Sequence, residues 1–194
     1  MTSFQLYWEM GIAHITDFQG YDHLLFILAL CAAYSPQEWR KLLILVTAFT
    51  VGHSLTLGLS TQEWINVPAS IIEPLIPITI LLTSLWNVFF VEKQGSNHRN
   101  IAYLMAAGFG LIHGLGFSNY LKALLGQAES IIVPLLAFNL GLEVGQLVIV
   151  LGWGVLTALV LGSKLISRRD WTVFLSGIAA GLSILLLSET LFNS

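Results

Sequence analysis

Four of the five histidines in this chain lie in or beside long apolar stretches, and they are the residues most able to do chemistry. They are His14, His23, His53 and His113. An ionisable side chain inside an apolar segment costs several kcal/mol unless it is paired or solvated. Several such groups on separate segments are most simply explained if they meet. The pattern therefore predicts one buried polar or metal site.

Other polar residues in apolar stretches extend this pattern. Asp22 directly precedes His23, while Asn139, Glu143 and Gln146 share one helix face by their i, i+4, i+7 spacing. Imidazole and carboxylate ligands together suit a divalent transition metal. The predicted metal ligands are His14, Asp22, His23, His53, His113 and Glu143. The predicted supporting or pathway residues are Ser54, Glu73, Asn139 and Gln146.

The elements that position these residues must be membrane helices. Hydrophobic residues make up 56% of the chain and charged residues 10%, whereas a soluble domain carries about 25% charged residues. The 194 residues accommodate one membrane domain, 1–194, of about six helices of roughly 20 residues each. We therefore predict an all-α polytopic bundle with the lipid bilayer as its partner. The few basic residues argue against nucleic-acid binding.

The apolar segments place these helices along the chain. A short interfacial helix is predicted at residues 4–15. The predicted transmembrane helices cover residues 20–34, 41–59, 68–91, 101–117, 131–161 and 171–192. The fifth exceeds an upright span, so it must tilt or bend. No internal repeat is evident.

The basic residues predict the orientation of the helices. Seven of the eight Lys and Arg residues fall in alternate loops, and Lys122 alone falls on the other side. By the positive-inside rule, the three basic loops face the cytoplasm and both termini lie outside. The expected location is the cytoplasmic membrane.

Purely structural roles compete with these assignments. A histidine in a membrane helix often serves only as a hydrogen-bonding group between helices. His98, which lies in a basic polar loop, is interpreted as solvated. Glycine pairs spaced by four residues, at 110/114, 141/145 and 177/181, fit close helix packing and would permit a homo-oligomer.

Six stretches of the chain resemble those of a known family, in order and with similar spacing. They are GIAH at 11–14, GYDHLLF at 20–26, TAFTVGHSLTL at 47–57, IEPLI at 72–76, GFGLIHGLGF at 108–117 and FNLGLEVGQL at 138–147. They resemble the HupE/UreJ family of bacterial membrane proteins, most closely its second subgroup. The resemblance implies a secondary transporter for nickel or cobalt, associated with hydrogenase and urease maturation. It also implies roles for the ten polar residues predicted above.

A metal permease is the function we expect first. An external ion would lose water to Asp22, His23 and Glu73 and then pass to the deeper ligands. Protonation of those ligands, which must be deprotonated to hold a metal, would favour release. Nickel is the ion that the resemblance implies, and cobalt and zinc suit the same ligands.

An intramembrane metal-dependent hydrolase is the alternative. A fixed zinc would activate water, with Ser54, Glu143 or Asp22 assisting, and the substrate would be a lipid or a peptide. A third reading is a sensor or assembly factor that binds a metal without moving it. No catalytic residue is assigned if the protein is a transporter.

Overall fold

Helices form all of the regular structure in the described part of the chain. The computed structural model describes residues 2–17, 20–90, 96–125 and 130–192, without the side chains of 96–99. The α-helices of this part are α1 Ser3–Thr16, α2 Asp22–Ala32, α3 Trp39–Thr61, α4 Ala69–Phe90, α5 Ser96–Leu125, α6 Ile132–Gly162 and α7 Arg168–Phe192. A short 3-10 helix, Pro36–Glu38, precedes α3. The all-α prediction is confirmed.

Five of these helices, α3 to α7, are long and apolar enough to cross a membrane. The protein is therefore a multi-pass membrane protein. Helix α5 has 30 residues and extends beyond the predicted segment 101–117 at both ends. The predicted end of the third segment, at residue 91, lies outside the described residues.

The segment predicted as the first transmembrane helix is shorter than expected. Helix α2 has 11 residues, whereas a single crossing needs about 20. Eight of these residues are buried, so α2 lies inside the bundle. A total of six crossings stays a prediction, and it requires α1 and α2 to cross the membrane together.

Helix α1 is packed into the bundle along α6, which differs from the interfacial position that we expected. A Cβ atom added at Gly11 would overlap the backbone oxygen of Phe138, and one added at Gly141 would overlap that of Trp8. Ile15 lies further along, beside Gly145. The numbering of the two helices rises together through these contacts, so α1 and α6 run parallel. Glycine on both helices lets their backbones touch.

Helices α3 and α5 form a second parallel pair of this kind. A Cβ atom added at Gly52 would overlap the backbone oxygen of Ala107, and one added at Gly110 would overlap that of Phe49. Gly114 meets the next turn of α3 in the same way. This contact sets the positions of the histidines that the two helices carry.

The end of α2 is held by side chains from two other helices. Asn87 of α4 donates to the carbonyl of Ala29 at 2.6 Å, and Thr172 of α7 donates to that of Ala32 at 2.7 Å. These donors satisfy carbonyls that a helix end leaves open, which a membrane interior requires. Because α2 ends beside the start of α7, it points in the same direction as α6 and α1. Helices α1 and α2 are thus two parts of one interrupted helix.

Candidate metal centre

The interruption between α1 and α2 brings two helix ends to the same point in the bundle. His14 lies in the last turn of α1, and Asp22 and His23 open α2. Helices α3 and α5 contribute His53 and His113 beside them. The four histidines predicted from the sequence therefore meet, although they come from four different helices.

His23 is the centre of this cluster. Its ring centroid lies 4.5 Å from that of His14, 5.0 Å from that of His113 and 6.1 Å from that of His53. The rings of His14 and His53 are 6.0 Å apart. We call these four residues and Asp22 the histidine cluster.

The histidine cluster contains two groups whose ligand atoms are close enough to hold a metal ion. One is His14, His23 and His53, and the other is Asp22, His23 and His113. Within each group, one ligand atom per residue lies within 4.8 Å of the others. Ligands bound at about 2.1 Å around one ion lie roughly 3 to 4 Å apart. Small side-chain movements would therefore complete either site.

Several ring nitrogens of the cluster are buried without a hydrogen-bond partner among the described residues. They are His14 Nε2, His23 Nε2, His113 Nδ1 and both ring nitrogens of His53. Buried polar atoms are normally paired, and leaving one unpaired costs about 1–3 kcal/mol. A bound cation would satisfy the lone pair on one nitrogen of each ring, which a role in helix packing alone would leave open.

The contacts of His113 determine which of its nitrogens can bind a metal. The hydroxyl of Thr79 donates its only hydrogen to the carbonyl of Ile76 at 2.7 Å. Its oxygen must then accept from the Nε2–H of His113, at 3.1 Å. The lone pair of His113 is therefore on Nδ1, the nitrogen that has no partner.

The pairing of His23 follows the same logic. Its Nδ1 lies 3.0 Å from Oδ1 of Asp22, which also accepts from the backbone N–H of His23 at 2.8 Å. A carboxylate only accepts, so Nδ1 carries the hydrogen and the lone pair is on Nε2. A carboxylate behind an imidazole fixes the ring and makes it a better ligand.

Aromatic rings enclose the histidine cluster. Phe117 lies 4.0 Å from the ring of His14, and Phe26 and Phe49 lie about 5 Å from that of His113, at 5.1 and 5.2 Å. An apolar wall of this kind keeps the effective dielectric low. The attraction between a cation and its ligands is stronger there than in water.

Glu143 and Gln146, which were predicted beside the histidines, are hydrogen-bonded to residues of α3 that precede His53 by about one to two turns. Thr47 donates to Oε1 of Glu143 at 2.6 Å, and Thr50 donates to Oε1 of Gln146 at 2.7 Å. Among the described residues, neither side chain belongs to a group that could hold a metal. We call these two hydrogen bonds the α3–α6 polar pairs.

The remaining predicted residues lie around the cluster or apart from it. The side chain of Asn139 lies near His53 but does not form a well-shaped hydrogen bond with it, so its Oδ1 has no partner among the described residues. Ser54 donates to the carbonyl of Thr50 at 2.7 Å. Glu73 is exposed on α4, so it does not join the histidine cluster.

Sequence reasoning missed Thr79, which orients His113. A threonine in an apolar helix carries no distinctive signal. The one available clue was its position two residues after Pro77, where a proline leaves a backbone acceptor open and polar side chains gather.

The fold and the cluster together define a class, multi-pass membrane proteins with a buried set of histidine and carboxylate metal ligands. Comparison with family models identifies the family. The chain belongs to the HupE/UreJ family, because the model described as HupE / UreJ protein matches residues 1–190. Searches of curated proteins and of solved structures found no match.

Proposed function

We propose that this protein is a permease for a divalent transition-metal ion, nickel or cobalt, in the cytoplasmic membrane of a bacterium. The observation that carries the proposal is the meeting of four histidines with unpartnered ring nitrogens inside a membrane bundle. Membership of the HupE/UreJ family supports the same function.

The ligand chemistry supports a transition metal. The two candidate groups combine imidazole nitrogens with a single carboxylate, that of Asp22. Calcium and magnesium prefer sites made of oxygen ligands, whereas imidazole suits nickel, cobalt, zinc and copper. The substrate class is therefore a borderline divalent metal ion.

The interrupted helix supports transport. Secondary transporters commonly bind their substrates near the middle of the membrane, where a helix is broken and its ends face the ion. Here the break falls between His14 and Asp22. Since metal ligands must lose their protons to bind, proton uptake by the same imidazoles would favour release on the other side.

The hydrolase alternative receives no comparable support. Of its three assisting residues, only Asp22 is in the histidine cluster. The hydroxyl of Ser54 is bonded to its own helix, and Glu143 is bonded to Thr47. Both of these groups are therefore engaged in hydrogen bonds outside the histidine cluster.

Uptake of radioactive nickel into proteoliposomes tests the proposal. We expect time-dependent uptake with the wild-type protein, and uptake by His23→Ala no higher than in protein-free vesicles. His98→Ala is the matched control, because this residue lies in the first turn of α5, about 22 Å along the helix from His113. Absence of wild-type flux with nickel, cobalt and zinc would reject transport.

A further inference from the structure

Two four-residue patterns occur twice in the chain, in the same order. GIAH at 11–14 in α1 corresponds to GLIH at 110–113 in α5, and FTVG at 49–52 in α3 corresponds to FNLG at 138–141 in α6. Matches this short do not identify a repeat in the sequence alone. The structure shows that they occupy equivalent positions.

The glycines that begin GIAH and GLIH pack against equivalent backbone atoms. A Cβ atom at Gly11 would overlap the backbone oxygen of Phe138, and a Cβ atom at Gly110 would overlap that of Phe49. Each phenylalanine begins the partner pattern. The histidine three residues after each glycine, His14 or His113, then faces the same phenylalanine.

The histidine–phenylalanine contacts have nearly equal lengths. The ring of His14 lies 5.6 Å from that of Phe138, and the ring of His113 lies 5.2 Å from that of Phe49. The first copies of the two patterns lie in α1 and α3, and the second copies lie in α5 and α6. Helix α1 therefore packs on α6, and α5 packs on α3. His14 and His113 are equivalent residues in this arrangement.

The two helix pairs point in opposite directions. Gly58 of α3 lies beside Leu135 of α6, while Thr47, which is earlier in α3, meets Glu143, which is later in α6. Helices α3 and α6 are therefore antiparallel, and so are the pairs α3/α5 and α1/α6 that contain them. A two-fold axis perpendicular to the helices relates the pairs. This arrangement is an inverted repeat, which many secondary transporters share.

We infer that the ion has two alternative positions, one at each of the equivalent histidines His14 and His113, and that both positions share His23. One position is the group of His14, His23 and His53, and the other is the group of Asp22, His23 and His113. His23 lies between the equivalent histidines, 4.5 Å from the ring of His14 and 5.0 Å from that of His113. Passing the ion between the positions exchanges the other ligands while Nε2 of His23 stays bound, and in the second position the Asp22 carboxylate would turn from Nδ1 of His23 toward the ion.

Only one position is filled at a time. The two groups share a residue, and Asp22 is the single carboxylate among their members. Two divalent ions this close in an apolar enclosure would repel each other strongly, without enough negative charge to offset them. This inference rests on the proposed function, since it describes how the transported ion would move.

Equilibrium binding of ⁶³Ni²⁺ to the purified full chain in detergent tests the inference. If the ion occupies either of two alternative positions, the measured association constant is the sum of the constants of the two positions. The association constants measured for His14→Ala and for His113→Ala should then add up to about the wild-type constant. At least one of the two variants should therefore keep half or more of the wild-type constant. His23→Ala, which belongs to both positions, should abolish binding, and saturation should give one ion per chain.

Double variants sharpen the test. His14→Ala combined with His53→Ala should bind as His14→Ala does, whereas His14→Ala combined with His113→Ala should bind as His23→Ala does. If both single variants lose about tenfold or more, one site uses both rings and the inference is overturned. Two ions per wild-type chain would also overturn it.

Further measurements separate this inference from loss of folding and from failure of transport. His14→Phe and His113→Phe keep a ring in the aromatic enclosure, and they should give the same binding pattern as the alanine variants if the ligand nitrogen is what matters. In proteoliposomes, His14→Ala and His113→Ala should each abolish uptake although one position remains. If wild-type protein shows this binding pattern without flux, the two positions stand and the permease proposal fails.

Discussion

The histidine cluster and the α3–α6 polar pairs differ in how their polar atoms are satisfied, although both lie in apolar helices. In the polar pairs, Thr47 donates to a carboxylate oxygen of Glu143 at 2.6 Å, and Thr50 donates to the amide oxygen of Gln146 at 2.7 Å. In the cluster, several ring nitrogens have no partner among the described residues. The protein pairs both acceptor oxygens of the first set by itself, although Nε2 of Gln146 is buried without a partner among the described residues, and it leaves the lone pairs of the second set open for a ligand.

This difference separates residues that join helices from residues that bind an ion. A side-chain hydrogen bond between membrane helices contributes about 0.6 kcal/mol on average, and at most about 1.7 kcal/mol. Removing one should affect stability modestly and leave metal binding unchanged. Removing a ligand from the cluster should have the opposite effects.

The largest effect is expected for His23→Ala. This residue belongs to both candidate groups and has the most ring contacts within the cluster. Nickel binding and nickel uptake should both disappear, while the purified protein keeps its helical circular dichroism. His98→Ala should match the wild type in both assays. Strong nickel binding by His23→Ala would remove the distinction between the two regions.

A large loss of stability is expected for Gly52→Ala. Its Cβ would overlap the backbone oxygen of Ala107, and forced packing of this kind costs about 1–3 kcal/mol or more. Both regions depend on α3, so the variant should unfold at lower temperature and bind less nickel. Gly177→Ala is the control, since no atom of another described helix lies within 4 Å of the added Cβ. Equal melting temperatures would contradict the backbone contact between α3 and α5.

A selective loss of metal affinity is expected for Thr79→Val in the His14→Ala background, where only the position with His113 remains. Without the hydroxyl, nothing holds the hydrogen of His113 on Nε2, so Nδ1 is no longer kept as a ligand. Changing such a supporting group typically weakens metal binding about 10- to 100-fold. Thr79→Ser, which restores the hydroxyl, should recover most of the affinity. An unchanged nickel dissociation constant in the valine variant would show that His113 is not oriented by Thr79.

The smallest effect is expected for Thr47→Val. Loss of its hydrogen bond to Glu143 should lower the unfolding free energy by about 1 kcal/mol. Nickel binding should be unchanged, since Glu143 is not a member of either candidate group. A marked drop in nickel affinity would place Glu143 among the ligands, as the sequence first suggested.

The sequence was sufficient for the all-helical membrane fold and for naming all five members of the histidine cluster, because charged or polar residues in apolar segments are conspicuous. It could not separate Glu143 from His113, since residues on one helix face can meet different neighbours. The sequence separated residues 4–15 from 20–34, but it did not show that the second segment is too short to cross the membrane alone. An 11-residue helix and its flanking turns have the hydropathy of a short membrane helix, and only the packing of α1 on α6 shows the break.

The direct test of the histidine cluster is the coordination of nickel in the purified wild-type protein, measured by X-ray absorption spectroscopy. The structure predicts two or three imidazole nitrogens at about 2.1 Å: three in His113→Ala, which keeps the group with His14, two in His14→Ala, which keeps the group with His113, and no bound nickel in His23→Ala. A nickel ion bound by oxygen ligands alone, with a spectrum that none of these substitutions changes, would contradict a metal centre at the histidine cluster.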